Sequence, residues 1–255
     1  TCLLTSGTVE PKAYGACTGE HDDHPSIQAA VFAAIAQRKP LYFPPGVYIV
    51  NSSVVINASD VVVFGQFWQD SILAAGPGCK GAEAVLLFPT LETGEFGWNE
   101  VSALSVNANG FATHAIQALT MTRSRFVGIG AFRAQAGLRI ARGWEIHIED
   151  SYIGCAGGGN QVGVLATAAI NGLSVLNSQF EGDLVGIAVN DGSNVLLQGN
   201  VIEGMGGAAI VINSVAGVVV SANYFEDNNW AQDGLTHAGV PHFWFDHPEN
   251  KNFTL

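Results

Sequence analysis

The chain has 255 residues, 48% of them hydrophobic and only 13% charged, with 31 glycines and a net charge of −12. So acidic a chain argues against nucleic acid and anionic membrane as partners, since both reward basic surfaces, and no apolar run approaches the roughly 20 residues a bilayer span needs. Low charge with abundant Gly, Val, Ala and Asn excludes a disordered or coiled-coil chain and suits short strands joined by tight turns, as one large solenoid or two ordinary domains.

Residues 1–25 read as an irregular polar lead-in. Thr1-Cys-Leu-Leu4 is too short for a signal peptide, so any such segment is expected to have been removed. The four cysteines, Cys2, Cys17, Cys79 and Cys155, lack metal-type spacing; Cys2 and Cys17 are candidates for a disulfide that ties down the arm. Next, Ile27, Ala30, Val31, Ala34 and Ile35 fall at helical spacing. Asp23 is placed as its N-cap, Pro25 suits the first turn, and Arg38-Lys39 complement the C-terminal dipole. A lone apolar-faced helix ahead of a stack of strands is most simply its lid, so the chain divides into an arm and capping helix, 1–40, and a strand domain, 41–255.

Leu41-Tyr-Phe-Pro-Pro-Gly-Val-Tyr-Ile-Val50 reads as strand, Pro-Gly turn, strand. Further strands are expected at 53–56, 61–64, 84–88, 101–106 and 126–129. Loops at 66–82, carrying Phe67, Trp68 and Asp70, and at 89–100, carrying Glu92, Glu95 and Trp98, separate them; loops of that length on a rigid scaffold tend to be functional. From Leu138 to Glu226 the chain repeats itself. The segments Ser151-Tyr-Ile153, Ser178-Gln-Phe180, Asn200-Val-Ile202 and Asn223-Tyr-Phe225 each close a unit of three alternating strands, at spacings of 27, 22 and 23. Their period is 2, not 3.6. Such units bury their inward side chains only by stacking, which predicts an all-β right-handed parallel β-helix; the hand follows from the preference of parallel crossovers. After Glu226 the rhythm breaks and resumes at Asn252-Phe-Thr-Leu255, where Val218 to Phe253 is 35 residues against a normal 23, implying 12 inserted residues. A strand that starts there is expected to be followed by more coils, a capping domain or a covering subunit.

One stretch resembles a known family. The order Tyr14-Gly15-Ala16, Asp22-Asp23, Ser26-Ile27-Gln28-Ala29-Ala30, then Phe43-Pro44-Pro45-Gly46-Val47-Tyr48 is similar to the N-terminal signature of the pectate-lyase-like superfamily, with Tyr14 for the usual Phe and Cys17-Thr-Gly-Glu20 where a Gly-Asp-Gly turn is common. The resemblance implies a right-handed β-helix and a protein that handles polysaccharide. The superfamily holds hydrolases, lyases, epimerases and phage tailspikes.

Candidate chemistry centres on Glu181, Glu203 and Glu226, each directly after an inward residue of the repeat. Stacked coils would set them about 4.8 Å apart per step, close to the carboxylate spacing of retaining glycosidases; two steps approach that of inverting ones. Mutual repulsion should raise the pKa of at least one, most at Glu203. Asp183 is the fourth catalytic candidate, and Asp150, Asp191 and Asp227 lie at adjoining corners. The alternative reading is a solvated ladder repeated because the coil repeats. From 143 to 250 there are 12 acidic residues and no Lys or Arg, so a lyase would have to use His147, Tyr152, Tyr224 or His237 as base, with calcium against the uronate. Arg139 and Arg142 either grip an acidic sugar or, with the other arginines of 123–142, pair with Glu145, Glu149 and Asp150. Trp68, Trp98 and Trp230 are candidate sugar platforms. His237, His242 and His247 match no metal-site spacing. The expectation is a phage-tailspike-like, homotrimeric polysaccharide depolymerase, extracellular or virion-associated, needing no cofactor. The alternatives are a secreted lyase or epimerase and a non-catalytic receptor-binding or structural β-helix.

Overall fold

A computed structural model describes residues 7–17, 19, 21–90, 96–154, 160–228, 243–246 and 253–254. The chain is a right-handed parallel β-helix of about 8 turns preceded by one α-helix, His24–Gln37. Each turn contributes a strand to three parallel sheets. The first sheet runs from Leu41–Phe43 through Met121–Val127, Gly143–Glu149, Ile170–Leu176 and Gly192–Gln198 to Val215–Ser221 and Phe253–Thr254. The second begins at Gly46–Val50 and Ser71–Ala75, continues through Ser105–Asn107, Gly130–Phe132, Tyr152–Gly154, Gln179–Glu181 and Val201–Glu203, and ends at Tyr224–Glu226. The third includes Ala84–Phe88, His114–Ala118, Ala136–Ile140, Val162–Ala166, Val185–Val189, Ile210–Asn213 and Phe243–Asp246.

The repeat register is the expected one. Ile153, Phe180, Ile202 and Phe225 are successive Cα partners in the second sheet. Ile153, Phe180 and Ile202 have no exposed surface, and Phe225 packs on the core from a half-buried position. Because Phe180 is enclosed on both sides of its rung, Phe180→Ala is expected to lower unfolding stability by about 3–5 kcal/mol in a denaturant titration; Phe225→Ala should cost less.

The corners explain the punctuation of the repeat. Gly128, Asp150, Asn177, Gly199 and Ala222, which precede successive second-sheet turns, all hold positive φ, between 48° and 68°, a region that Gly, Asn and Asp enter most readily. The next residues form a buried polar ladder. Ser151 N–H donates to Ser178 Oγ (3.2 Å), Ser178 N–H to Asn200 Oδ1 (3.0 Å) and Asn200 N–H to Asn223 Oδ1 (2.9 Å). Corner amides that no strand can pair are thereby satisfied.

The N-terminal motifs cover the open edges of the first turn. Val9 bridges Leu41 at the first sheet. At the second, Gly19 and Asp23 N–H donate to the carbonyls of Val47 and Ile49. At the third, the Gln28 amide donates to Val55 O and accepts from Val55 N–H, both at 2.9 Å. Ile27, Ala30, Val31 and Ala34 are buried, as the helical spacing requires. Gln28→Ala would strand both Val55 groups and is expected to cost about 1–3 kcal/mol, read as a lowered denaturation midpoint.

Several expectations need correcting. Asp23 stands at the N-cap position but makes no capping bond; its carboxylate accepts from Cys17 N–H at 2.7 Å, while Asp22 accepts from His24 N–H at 3.1 Å. The loop read over 66–82 contains the strand Ser71–Ala75, and His114–Ala118 was not foreseen as a strand. Both are rich in Ala, a poor strand former, and neither alternates in burial. Val218 does pair with Phe253, as the 12-residue insertion predicts. Ile210 pairs with Phe243, 33 positions on rather than 23, so ten of those residues precede the third-sheet strand. Cys2, Cys155, Trp230, His237, His242 and His247 lie outside the described residues.

Candidate functional site

Alternation in the second sheet sends the residue before and the residue after each inward side chain to its outer face. The residues before are Gly130, Tyr152, Gln179, Val201 and Tyr224; those after are Phe132, Gly154, Glu181, Glu203 and Glu226. Glu181, Glu203 and Glu226 are therefore direct register neighbours, one per turn. Glu181 and Glu203 are half-buried and Glu226 is exposed.

Each lower glutamate is held by a donor one rung beneath it. The Tyr152 hydroxyl donates to Glu181 Oε2, and Gln179 Nε2 donates to Glu203 Oε1 at 3.0 Å. Val201 offers no donor for Glu226, which instead accepts from the Tyr224 hydroxyl of its own rung at 3.0 Å. That bond holds the Tyr224 hydroxyl above its ordinary pKa, so the phenol keeps its proton.

Next to this ladder lies a cleft of about 640 Å³ lined by Trp68, Asn107, Phe132, Tyr152, Gln179 and Glu181, among others. Trp68 reaches it from the short loop before Ser71. Its indole stacks on Tyr152 with centroids 5.3 Å apart and planes 12° apart, and Phe132 completes the cluster at 6.2 Å from Trp68 and 5.8 Å from Tyr152. Ser105 and Gly130 occupy the rungs beneath Tyr152, and Ser105 Oγ donates to the Trp68 carbonyl. These small residues leave room for the indole above the sheet; a Cβ at Gly130 would lie 2.3 Å from Ser105 Oγ.

The other sequence candidates are distributed elsewhere. Trp98 is 62% exposed beside the first sheet, with the Arg123 guanidinium 5.3 Å from its ring centre. Arg123 and Arg125 pair with Glu145 (3.0 Å) and Glu149 (3.2 Å), the ion-pairing alternative for that arginine group. Arg139 lies on the third sheet between Gln117 and Leu165, and Arg142 is exposed at the corner before Gly143. Asp183 is only 1% exposed and does not join the glutamates. It sits in a second corner ladder with Asn160 and Asn228, accepts from Asn160 N–H at 2.9 Å, and has its Oδ2 buried without a hydrogen-bond partner. Burial pushes its carboxyl up to about 8, against the opposing hydrogen bond from the Asn160 backbone N–H. Gln179 and Phe132 escaped sequence reading. Gln179 is next to an inward residue of the repeat and so had to face outward; Phe132 lies before the repeat begins at Leu138 and carries no such signal in the sequence.

The family described as rhamnogalacturonase A/epimerase, pectate lyase-like, matches residues 9–236. The chain belongs to that family. No curated protein sequence matches the chain significantly. Among solved structures, ORF18 of Geobacillus virus E2 superposes with a TM-score of 0.69 at 16% identity, over 98% of this chain and 62% of that one. The catalytic unit of the GH87 alpha-1,3-glucanase from Streptomyces thermodiastaticus strain HF3-3 gives 0.68 at 14% identity, over 98% and 48%. The Dettilon tailspike protein gives 0.68 at 12% identity, over 86% and 46%. The chain thus spans about half to three-fifths of these proteins, and the likeness is one of fold.

Proposed function

We propose that this member of the rhamnogalacturonase/epimerase family is a polysaccharide depolymerase of the tailspike type that binds a glycan along the outer face of the second sheet and hydrolyses it there. The observation that carries the reading is the in-register run Glu181, Glu203, Glu226 abutting an aromatic cleft. Neighbouring rungs place two glutamates one strand spacing apart, about 4.8 Å between their backbones, from which their carboxyl groups can reach the separation used by retaining glycosidases. One protonates the glycosidic oxygen as the bond breaks; its neighbour attacks the anomeric carbon, and water then releases the sugar. Trp68, Tyr152 and Phe132 offer apolar ring faces for pyranose C–H surfaces. Tyr152 and Gln179 are positioning residues that fix the orientation of Glu181 and Glu203. The β-helix neighbours that are a tailspike and a glucanase support this class of substrate; the proposal places its action outside the cell or on a virion, in a homotrimer.

A lyase is the second reading, favoured by the Tyr152 phenol hydrogen-bonded to Glu181: the phenol oxygen could take an α-proton as its own proton passes to the Glu181 carboxylate. Product analysis over a panel of bacterial surface polysaccharides separates the two. Hydrolysis yields new reducing ends without the ultraviolet absorbance of an unsaturated uronate, which is the expected result. That absorbance would establish a lyase, and binding without cleavage would establish a receptor-binding module.

A further inference from the structure

We infer that Tyr224 is a second aromatic platform for the glycan, three turns beyond the Trp68–Tyr152 pair, so that the site takes a run of about four sugars. This rests on the reading of the second sheet's outer face as the polysaccharide site. Tyr152, Gln179, Val201 and Tyr224 follow one another in register along one column of that face. Tyr152 lines the cleft, where the Trp68 indole stacks on it. Tyr224 stands at the other end of the column and is 55% exposed. Three strand spacings separate the two tyrosines, about 14–15 Å along the axis of the solenoid. A pyranose lengthens an extended glycan by ~5 Å, close to one such spacing. A sugar at Tyr152 and the third sugar after it therefore meet the two rings together. The floor between them is low. Val201 is half-buried and reaches less far from the sheet than a tyrosine, and Gln179 turns aside to Glu203 in its 3.0 Å hydrogen bond.

A single exposed aromatic is ordinary on a protein surface. Tyr224 differs in being aligned with the cleft and held in place. Its hydroxyl donates to Glu226 Oε2 at 3.0 Å, which orients the ring before any ligand arrives and reduces the entropy lost on binding. The glutamates run in the neighbouring column of the same face and accept hydrogen bonds from sugar hydroxyls alongside the ring faces. Glu181 shares its strand with Gln179, and Glu203 shares its strand with Val201. Both carboxyl groups thus sit on the two rungs that the platforms bracket. Sugar is held on either side of the bond they cleave, which is the arrangement of an enzyme that cuts within a chain.

The test is binding of oligosaccharides of graded length, from disaccharide upward, cut by partial acid hydrolysis from each polysaccharide of the panel. The protein carries Glu203→Gln throughout, so that the ligands stay whole. Lengthening a ligand from trisaccharide to pentasaccharide is expected to tighten binding about 10-fold. Adding Tyr224→Ala should abolish that gain and leave shorter ligands, held at the cleft, unaffected. Tyr224→Phe should keep the gain, because the ring and not the hydroxyl meets the sugar. Tyr224 is exposed, so neither change disturbs the core. No gain with length, a gain that survives Tyr224→Ala, or a loss in Tyr224→Phe as large as in Tyr224→Ala overturns the inference. In each of those cases the polysaccharide reading stands if Trp68→Ala weakens binding. A panel in which no ligand of any length binds overturns the polysaccharide reading and this inference together.

Discussion

Glu203→Gln is expected to lower polysaccharide cleavage at least about 100-fold while leaving the fold intact. Glu203 alone has a ladder glutamate on both neighbouring rungs, so it can pair with either neighbour whichever of the two supplies the second carboxyl group. The substitution removes the acid–base group and keeps the side chain's shape. It also keeps an oxygen to accept from Gln179, whose amide reaches Glu203 Oε1 at 3.0 Å. The control is Gln179→Ala: if it only positions Glu203, cleavage should fall by a smaller factor and recover in Gln179→Asn more than in Gln179→Leu. Near-normal turnover by Glu203→Gln on the true substrate would move the chemistry off this ladder.

Asp183→Asn should make the protein more stable at neutral pH and flatten the pH dependence of its unfolding. A Cβ built on Gly137 would lie 3.0 Å from Asn160 Nδ2, and one on Gly163 would lie 2.8 Å from Asp183 Oδ2. The Asp183 oxygen therefore occupies the place that an amide nitrogen occupies one turn earlier. In that ladder Asn160 Nδ2 donates to the Ala131 carbonyl (3.3 Å) and Asn228 Nδ2 to the Ile202 carbonyl (2.8 Å). Ile153 is the corresponding residue beneath Asp183. An ionised Asp183 has no proton to offer there, and burial raises its pKa from an ordinary 3.8 to about 8. The folded chain then holds a proton that the unfolded chain has released, so stability is greatest below about pH 4 from this group and falls as pH rises toward 8. The loss across that window is at most on the order of 5 kcal/mol. Asparagine supplies the donor at every pH and removes the slope. Urea titrations of both proteins from pH 4 to 8 measure it, and cleavage by Asp183→Asn should persist. A variant that is less stable at pH 7 would overturn this account of the buried carboxyl, and one that is inactive though folded would support Asp183 as a catalytic residue.

Much of this frame is legible in the residues themselves. The period-2 segments and their spacing fix the register that places Ile153, Phe180, Ile202 and Phe225 in one column, and the same register makes the glutamate ladder unavoidable. The N-terminal motif identifies the fold because its parts do edge-covering work, as the Gln28 amide shows at Val55. The cleft was only half legible. Trp68 stands out as an aromatic in a loop, but its partners Phe132 and Tyr152 come from turns far along the chain, and a strand read as loop, Ser71–Ala75, hid how short its own loop is. Asp183 lies apart from the ladder because proximity in sequence to Glu181 says nothing of direction. Two residues past the outward glutamate the chain turns the corner, and the side chain points back toward Phe180 and Gly163.

The most direct test of the account is a crystal structure of the Glu203→Gln variant soaked with an oligosaccharide from the polysaccharide that the protein binds. The account predicts the glycan along the second sheet, one ring against the Trp68, Tyr152 and Phe132 cluster and a glycosidic oxygen within hydrogen-bond reach of a ladder carboxyl group. A glycan lying instead on the first sheet, beside Trp98 and Arg123, or on the third beside Arg139, would contradict it.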